Sequence, residues 1–373
     1  MKRNSRVPLL FCFQGVLSDN AVETEMHESI KITENVPLAP ITTLGVGGPA
    51  RFFAECGTES EVIAAADFAE NHRLDLFVLG GGSNLLVADK GFDGLVAKID
   101  LRGIVKHDSG NNEVFIDAAA GEDWDAFVAF AVENDLAGIE CMSGIPGRVG
   151  GTPVQNVGAY GQEVAETIVK VRCLDRSKKE IVELSGDECG FSYRKSIFNS
   201  SERDRYVVLN VTFRLVSSGE PQLKYKELNE YFNGPSPTLS NVREAVISIR
   251  RRKSMVIESG DPNSRSAGSF FKNPIVSEEF YRTLANGYDS TVPHFAAGEE
   301  KVKIPAAWLI EQSGFNKGFR LGNAGISSNH SLAIVNRGGA SAAEIVNLMK
   351  IIQAEVRTKF GVDLQPEPVF LGF

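Results

Sequence analysis

Three glycine clusters constrain this chain more than any other feature: Gly45-Val-Gly47-Gly48, Gly80-Gly81-Gly82-Ser83-Asn84 and Gly144-Ile-Pro-Gly147-Arg-Val-Gly150-Gly151. Glycine adopts positive φ and lets a backbone approach a ligand closely. Successive free amides in such turns form anion-binding concavities. Three clusters together point to a long phosphate-bearing ligand rather than to unrelated tight turns. The second cluster follows Leu76–Leu79, which reads as a short buried strand, and leads into Leu85-Leu86-Val87. A diphosphate would there be held by backbone amides in a strand–turn–strand element, with Ser83 and Asn84 adding side-chain hydrogen bonds. The third runs on into Gln155-Asn156-Val-Gly158-Ala159-Tyr160. Buried amides are costly unless bonded, so Gln155 and Asn156 are expected to meet the polar edge of a bound ring. Gly45–Ala50 fits G-x-G-x-x-A, but Pro49–Glu55 alternates like a strand instead of opening a helix, so a Rossmann reading fails.

Around these clusters the pattern is mixed α and β. Thr58 with Glu61 forms a capping box that opens a helix. Trp124, Phe127, Val128 and Ala131 make one helical face, which Gly138 is expected to close. Ile168–Leu174, Lys179–Leu184 and Tyr206–Leu215 alternate as antiparallel strands do. Turn formers over 231–241 mark a boundary, after which Val242, Ala245, Val246 and Ile249 line a helix ending in Arg250–Lys253. A last helix opens with the Ser341/Glu344 box, shows Ile345, Leu348, Met349 and Ile352 on one face, and stops at Gly361. The tail beyond is extended, since Pro366 and Pro368 flank Glu367.

The formal net charge of −9 argues against nucleic acid as a partner, because phosphate binding at that scale needs a basic face. Five scattered cysteines without a CxxC pair predict reduced thiols and a cytoplasmic protein. The five histidines lack metal-ligand spacing, so no metal is expected. No apolar run reaches the length of about 18 residues that spans a bilayer. Residues 1–30 are read as an extension ahead of the fold, either disordered or upstream of a true start at Met26.

Five segments in order carry a family resemblance. They are Val78–Asn84, Gly144–Gly147 with Gln155–Gly161, Tyr193-Arg194-Lys-Ser-Ile-Phe198, Ala267-Gly-Ser269-Phe-Phe-Lys272-Asn273-Pro274, and Pro366-Glu367. From about Pro37 to Gly372 the chain resembles the UDP-N-acetylenolpyruvoylglucosamine reductases of the longer-loop class. The resemblance implies an α+β architecture: a two-subdomain FAD-binding fold of the vanillyl-alcohol-oxidase type (31–102 and 103–220) plus a C-terminal α/β substrate-binding domain (221–373). It implies an enzyme that uses non-covalent FAD, with NADPH as reductant, to convert UDP-N-acetylglucosamine enolpyruvate to UDP-N-acetylmuramate for peptidoglycan; a monomer is expected, although the sequence itself does not reveal oligomeric state.

The same resemblance assigns roles. Arg194 and Glu367 are the polarising pair and Ser269 is the proton donor. Gly80, Gly81, Gly82, Ser83, Asn84, Gly144, Gly147, Gly150, Gly151, Gln155, Asn156, Gly158, Ala159 and Tyr160 line the flavin. Lys253, Lys272 and Asn273 face the nucleotide sugar, although Lys253 also suits a solvated helix end, and Tyr160 also suits a core position. The chemistry agrees. Hydride addition to the alkene drives charge into a carboxylate, which a guanidinium can fork. A carboxyl kept neutral in a dry pocket can assist it. Glu202 stands about where the family's substrate-covering tyrosine would fall, and Ser254–Asn263 is longer than the family pattern, which blurs the contacts there. Two other readings compete. A flavin-tethering oxidase would need a histidine in a glycine cluster, and none is there. A non-catalytic nucleotide-binding module would have no use for Arg194, Ser269 and Glu367 together.

Overall fold

The computed structural model describes residues 30–108, 110, 112–232, 236–288 and 291–373. The expected N-terminal extension thus lies outside the described residues, apart from Ile30. Two sheets build the first part of the chain. In the first, strands β1 (Thr33–Pro37), β2 (Pro49–Cys56), β3 (Leu76–Leu79) and β5 (Phe92–Ile99) lie in the order β1-β2-β5-β3. β2 and β3 flank β5 in parallel, and helix α1 (Glu59–Asn71) makes the crossover between β2 and β3. The Thr58 hydroxyl accepts from Glu61 N while the Glu61 carboxylate accepts from Thr58 N, as the sequence predicts.

The second sheet is antiparallel. Its order is β9 (Glu180–Ser185), β8 (Ile168–Asp175), β10 (Tyr206–Ser217), β7 (Glu113–Ala119) and β6 (Ile104–Asp108). Lys179 lies just before β9 with φ 56, in the turn rather than the strand. Helix α2 (Trp124–Glu133) packs on this sheet, with Trp124, Phe127 and Phe213 forming a buried aromatic cluster at centroid spacings of 4.9–5.9 Å. Asn134, not Gly138, caps α2, its side-chain amide donating to Phe130 O. Gly138 lies beyond a short strand, pressed against Thr167 and Leu215, where a side chain would be crowded.

Helix α3 (Leu239–Arg252) packs Val242, Ala245, Val246 and Ile249 against Cys141 and Leu228, and the rest of the chain gathers on the three-stranded sheet of β11 (Ile275–Ser277), β13 (Lys301–Lys303) and β12 (Phe295–Ala296), helix α4 (Ala306–Gln312) and the long helix α5 (Ala342–Phe360). Gly361 caps α5 in the left-handed region at φ 67. The stop at Gly361 follows because only glycine takes that conformation without penalty.

One strand ties the two parts together. β4 (Leu85–Val87) does not pair with β3, although only the Gly80–Asn84 loop separates them. It pairs in parallel with the C-terminal strand β14 (Val369–Leu371), Leu85 opposite Val369 and Val87 opposite Leu371. Its side chains alternate between cores. Leu85 and Val87 join a cluster with Leu38, Leu79 and Val96, whereas Leu86 joins the C-terminal core with Phe270, Phe271 and Ile345. Asp89 adds a polar clasp, accepting from the first amides of α5 at Ala342 and Ala343.

Leu86 is fully buried at this junction. We expect Leu86→Ala to lower unfolding stability by about 3 kcal/mol, measured by urea denaturation, with FAD release and loss of helix following a single curve.

Candidate active site

The glycine clusters divide by function. Gly47 and Gly48 are packing residues: a Cβ on Gly47 would fall 2.4 Å from the Val87 side chain, and one on Gly48 2.4 Å from Asp89 O. In the second cluster, the backbone N–H groups of Gly81, Gly82, Ser83 and Asn84 meet no protein acceptor among the described residues. Gly82 is buried at φ 63. A row of unpaired amides in a tight turn is what a diphosphate requires. The third cluster is the wall of that loop. A Cβ on Gly81 would sit 2.8 Å from Gly147 Cα, and Ser83 Oγ donates to Pro146 O at 2.9 Å. Its own later amides are engaged: Gly150 N donates to Ala120 O and Gly151 N to Arg148 O. Gly144, at φ 71, is fixed through its N–H to Asp125, which also receives both terminal nitrogens of Arg243 at 2.6 and 3.0 Å.

The two amides of the third segment separate as well. Asn156 is almost wholly buried, yet protein groups satisfy it: it donates to Glu163 and to Ser192 O, and accepts from Ala165 N. Its burial cost is met without a ligand. Gln155 accepts from Asn84 Nδ2 at 2.8 Å, joining the second cluster to the third. Gly158 and Ala159 pair with Glu163 and Gln162 in a small hairpin, and Tyr160, at φ 48, packs edge-on to Tyr225 with Lys253 above its ring.

Arg194 stands at the tip of a turn closed by mutual hydrogen bonds between Ser192 and Lys195. Its φ is 55, a conformation that only glycine adopts freely. Its Nε lies 3.0 Å from Glu367 Oε1, with both side chains largely buried. The N–H is aimed off that line, so the contact is an ion pair rather than a directed hydrogen bond. The terminal nitrogens donate to Gly158 O at 3.0 Å and Asn156 O at 3.4 Å. Burial pushes the Glu367 carboxyl above its ordinary range, against the opposing pull of Arg194 and Lys272.

The backbone brings the third candidate alongside. Glu367 N donates to Phe270 O, and Phe271 bridges Pro366 in antiparallel fashion, so Ser269 lies one residue from the strand bonded to Glu367. Its half-buried hydroxyl makes no hydrogen bond to the described residues. On the other side, Asn84 donates to Glu367 O and its own carbonyl accepts from Val369 N. Loop, turn and tail therefore converge. Lys272 is anchored by its amide to Gln365 O, and Asn273 caps α4, its Oδ1 accepting from Ala306 N at 2.9 Å. Lys253 pairs with Glu227 at 2.5 Å. It borders a basic group with Arg250, Lys317 and His330, and burial followed by the Lys253 charge drives His330 down to about 4. Glu202 belongs to a separate cluster with Arg205 and Asp175. Sequence reading missed His330 and Lys317, which carry no spacing signal, and Tyr193, which lies inside a quoted motif without standing out.

Residues 50–185 match the model of an FAD binding domain. Together with the amide-lined loop and the buried Arg194–Glu367 pair, this defines an FAD-dependent oxidoreductase. Residues 261–371 match the C-terminal domain of UDP-N-acetylenolpyruvoylglucosamine reductase. The chain is 46% identical to the UDP-N-acetylenolpyruvoylglucosamine reductase of Thermobifida fusca, over 91% of this chain and 97% of that protein. It is 43% identical to that of Streptomyces coelicolor, over 94% and 93%. The solved UDP-N-acetylenolpyruvylglucosamine reductase of Thermus caldophilus superposes with a TM-score of 0.64 at 26% identity, covering 92% of this chain and 99% of that one. The chain belongs to the UDP-N-acetylenolpyruvoylglucosamine reductase family.

Two expectations follow. Gly81→Ala has no room beside Gly147 and should weaken FAD binding at least tenfold, about 1.4 kcal/mol, read by flavin fluorescence on dilution. The raised Glu367 carboxyl holds its proton in the folded state at pH values where the unfolded chain has lost it. Stability should therefore fall as pH rises from the ordinary 4.5 through the raised value. Glu367→Gln should flatten that slope in urea titrations of the FAD-loaded protein across pH.

Proposed function

We propose that Arg194 and Glu367 polarise, and Ser269 protonates, the enolpyruvyl group as this enzyme reduces UDP-N-acetylglucosamine enolpyruvate to UDP-N-acetylmuramate. The observation that carries the assignment is the buried 3.0 Å Arg194–Glu367 pair, on a tail hydrogen-bonded to both the flavin loop and the Ser269 segment. FAD, which the Gly80–Asn84 loop would hold, would supply the hydride for the terminal alkene carbon, with NADPH as the reductant. Charge then develops on the neighbouring carbon and its carboxylate. The Arg194 guanidinium lies where that charge can be stabilised by a fixed cation in a dry site. Burial favours the neutral form of Glu367, which lets it donate to the same carboxylate instead of repelling it. The free hydroxyl of Ser269 gives its proton to the basic carbon, completing addition of H⁻ and H⁺ across the double bond.

The wider reading is a cytoplasmic monomer serving peptidoglycan synthesis, with 31–102 and 103–220 as FAD-binding subdomains and 221–373 as the substrate-binding domain. In support, Cys56, Cys141, Cys173 and Cys189 are buried free thiols, and no helix among the described residues is long and apolar enough to cross a membrane. Asn84, Ser83 and Gly80–Gly82 are assigned to the flavin diphosphate, with Gln155, Tyr160 and the Gly144–Gly151 wall beside it. Lys253, Lys272 and Asn273 are assigned to the nucleotide sugar.

The test follows NADPH absorbance on adding the enolpyruvyl substrate. Ser269→Ala should leave flavin reduction by NADPH within about twofold and slow reoxidation by substrate by 10²- to 10⁴-fold. If the variant fails in reduction by NADPH instead, the serine is not the proton donor.

A further inference from the structure

Two of the Arg194 donors go to the carbonyls of Gly158 and Asn156, and its Nε faces Glu367 without a hydrogen bond. A developing dianion gains from a second cation with fewer commitments. Lys303, on β13, is one. Its ammonium stands 4.5 Å from the centroid of the Tyr193 ring, and the Arg194 guanidinium carbon lies 5.5 Å from the same centroid. Lys303 is half-buried and its backbone is paired within the sheet, but its ammonium has no hydrogen bond or ion pair to any described residue.

The scaffold around Lys303 is fixed by residues already placed at the site. The Tyr193 hydroxyl faces Asn273. Asn273 also holds Ala306 N at the start of α4, and Ile304 N, next to the lysine, donates to Pro274 O. The Ser269–Pro274 segment thus holds β13 against the Arg194 turn. An unpaired, partly desolvated ammonium in such a frame is costly to maintain unless it meets an anion.

We propose that Lys303 is an anion-binding residue of the active site, seated on the face of Tyr193 so that it meets the substrate carboxylate together with Arg194. Burial lowers the lysine's affinity for its proton, Glu163 opposes this and Arg194 adds to it, so the ammonium shares the field of the Arg194 turn. The tyrosine ring contributes its own cation–π attraction to each cation. The inference rests on the function proposed above.

The test separates the two half-reactions by stopped flow in the FAD-loaded enzyme, comparing K303M with K303R. Lys303→Met should slow reoxidation of reduced flavin by the enolpyruvyl substrate about 100-fold, as loss of a charge-stabilising donor does. Flavin reduction by NADPH and FAD content should stay near wild type. Lys303→Arg should recover to within about tenfold, because it keeps the charge but not the compact geometry. If K303M does not retain FAD, K303Q carries the same expectation. Reoxidation within threefold of wild type overturns the proposal. So does a loss confined to reduction by NADPH, which would make the lysine a dinucleotide contact, and so does equal loss in K303M and K303R. Failure of the wild-type protein to reoxidise with substrate would sink the proposed function instead, and the same traces report it.

Discussion

The active site depends on the tail from Gln365 to Val369, which hydrogen-bonds in two directions at once. Pro366 and Pro368 have no N–H, so from Pro366 to Val369 only the amides of Glu367 and Val369 are left to be satisfied. The first donates to Phe270 O on the Ser269 segment, and the second to Asn84 O on the flavin loop. The prolines also fix φ and keep the tail extended, so the Glu367 side chain is presented without a helix or a long loop to order. Asn84 completes the clasp by donating to Glu367 O and to Gln155, which draws the second and third glycine clusters onto the same point.

Electrostatics follows from this geometry. A buried arginine–glutamate pair is weak evidence for stability, because desolvating both charges offsets much of their attraction. Its value here is chemical. Burial raises the Glu367 carboxyl while Arg194 is held by two backbone carbonyls, so the cation is fixed and the acid holds its proton more readily than a free carboxyl does. The Asp125–Arg243 pair does different work further back. It clamps Gly144 N and anchors the third glycine cluster to α3, the helix that ends at Lys253.

Much of this was legible in the sequence, and the rest was hidden for physical reasons. Local chemistry announced itself: the Thr58/Glu61 and Ser341/Glu344 boxes, the apolar faces of α2 and α5, and the stop at Gly361 all lie where residue type and spacing put them. The convergence of Arg194 and Glu367 came from motif resemblance alone, since nothing local in either segment encodes a partner so far along the chain. The same limit hid the parallel pairing of β14 with β4, which is a long-range choice. Glycine runs also look alike in sequence whether they bare their amides, as Gly81–Asn84 do, or merely let backbones touch, as Gly47 and Gly48 do. Lys303 escaped notice because a single lysine on a short strand has no period to reveal it. Only the fold sets it over Tyr193.

The backbone at Arg194 has a consequence for the protein's history under selection. A non-glycine residue at φ 55 carries a penalty of about 1 kcal/mol. Glycine would relax the turn closed by Ser192 and Lys195 at once. Selection for heat tolerance would therefore set that relief against the loss of the guanidinium that holds two backbone carbonyls and faces the buried Glu367, and the side chain outweighs the turn.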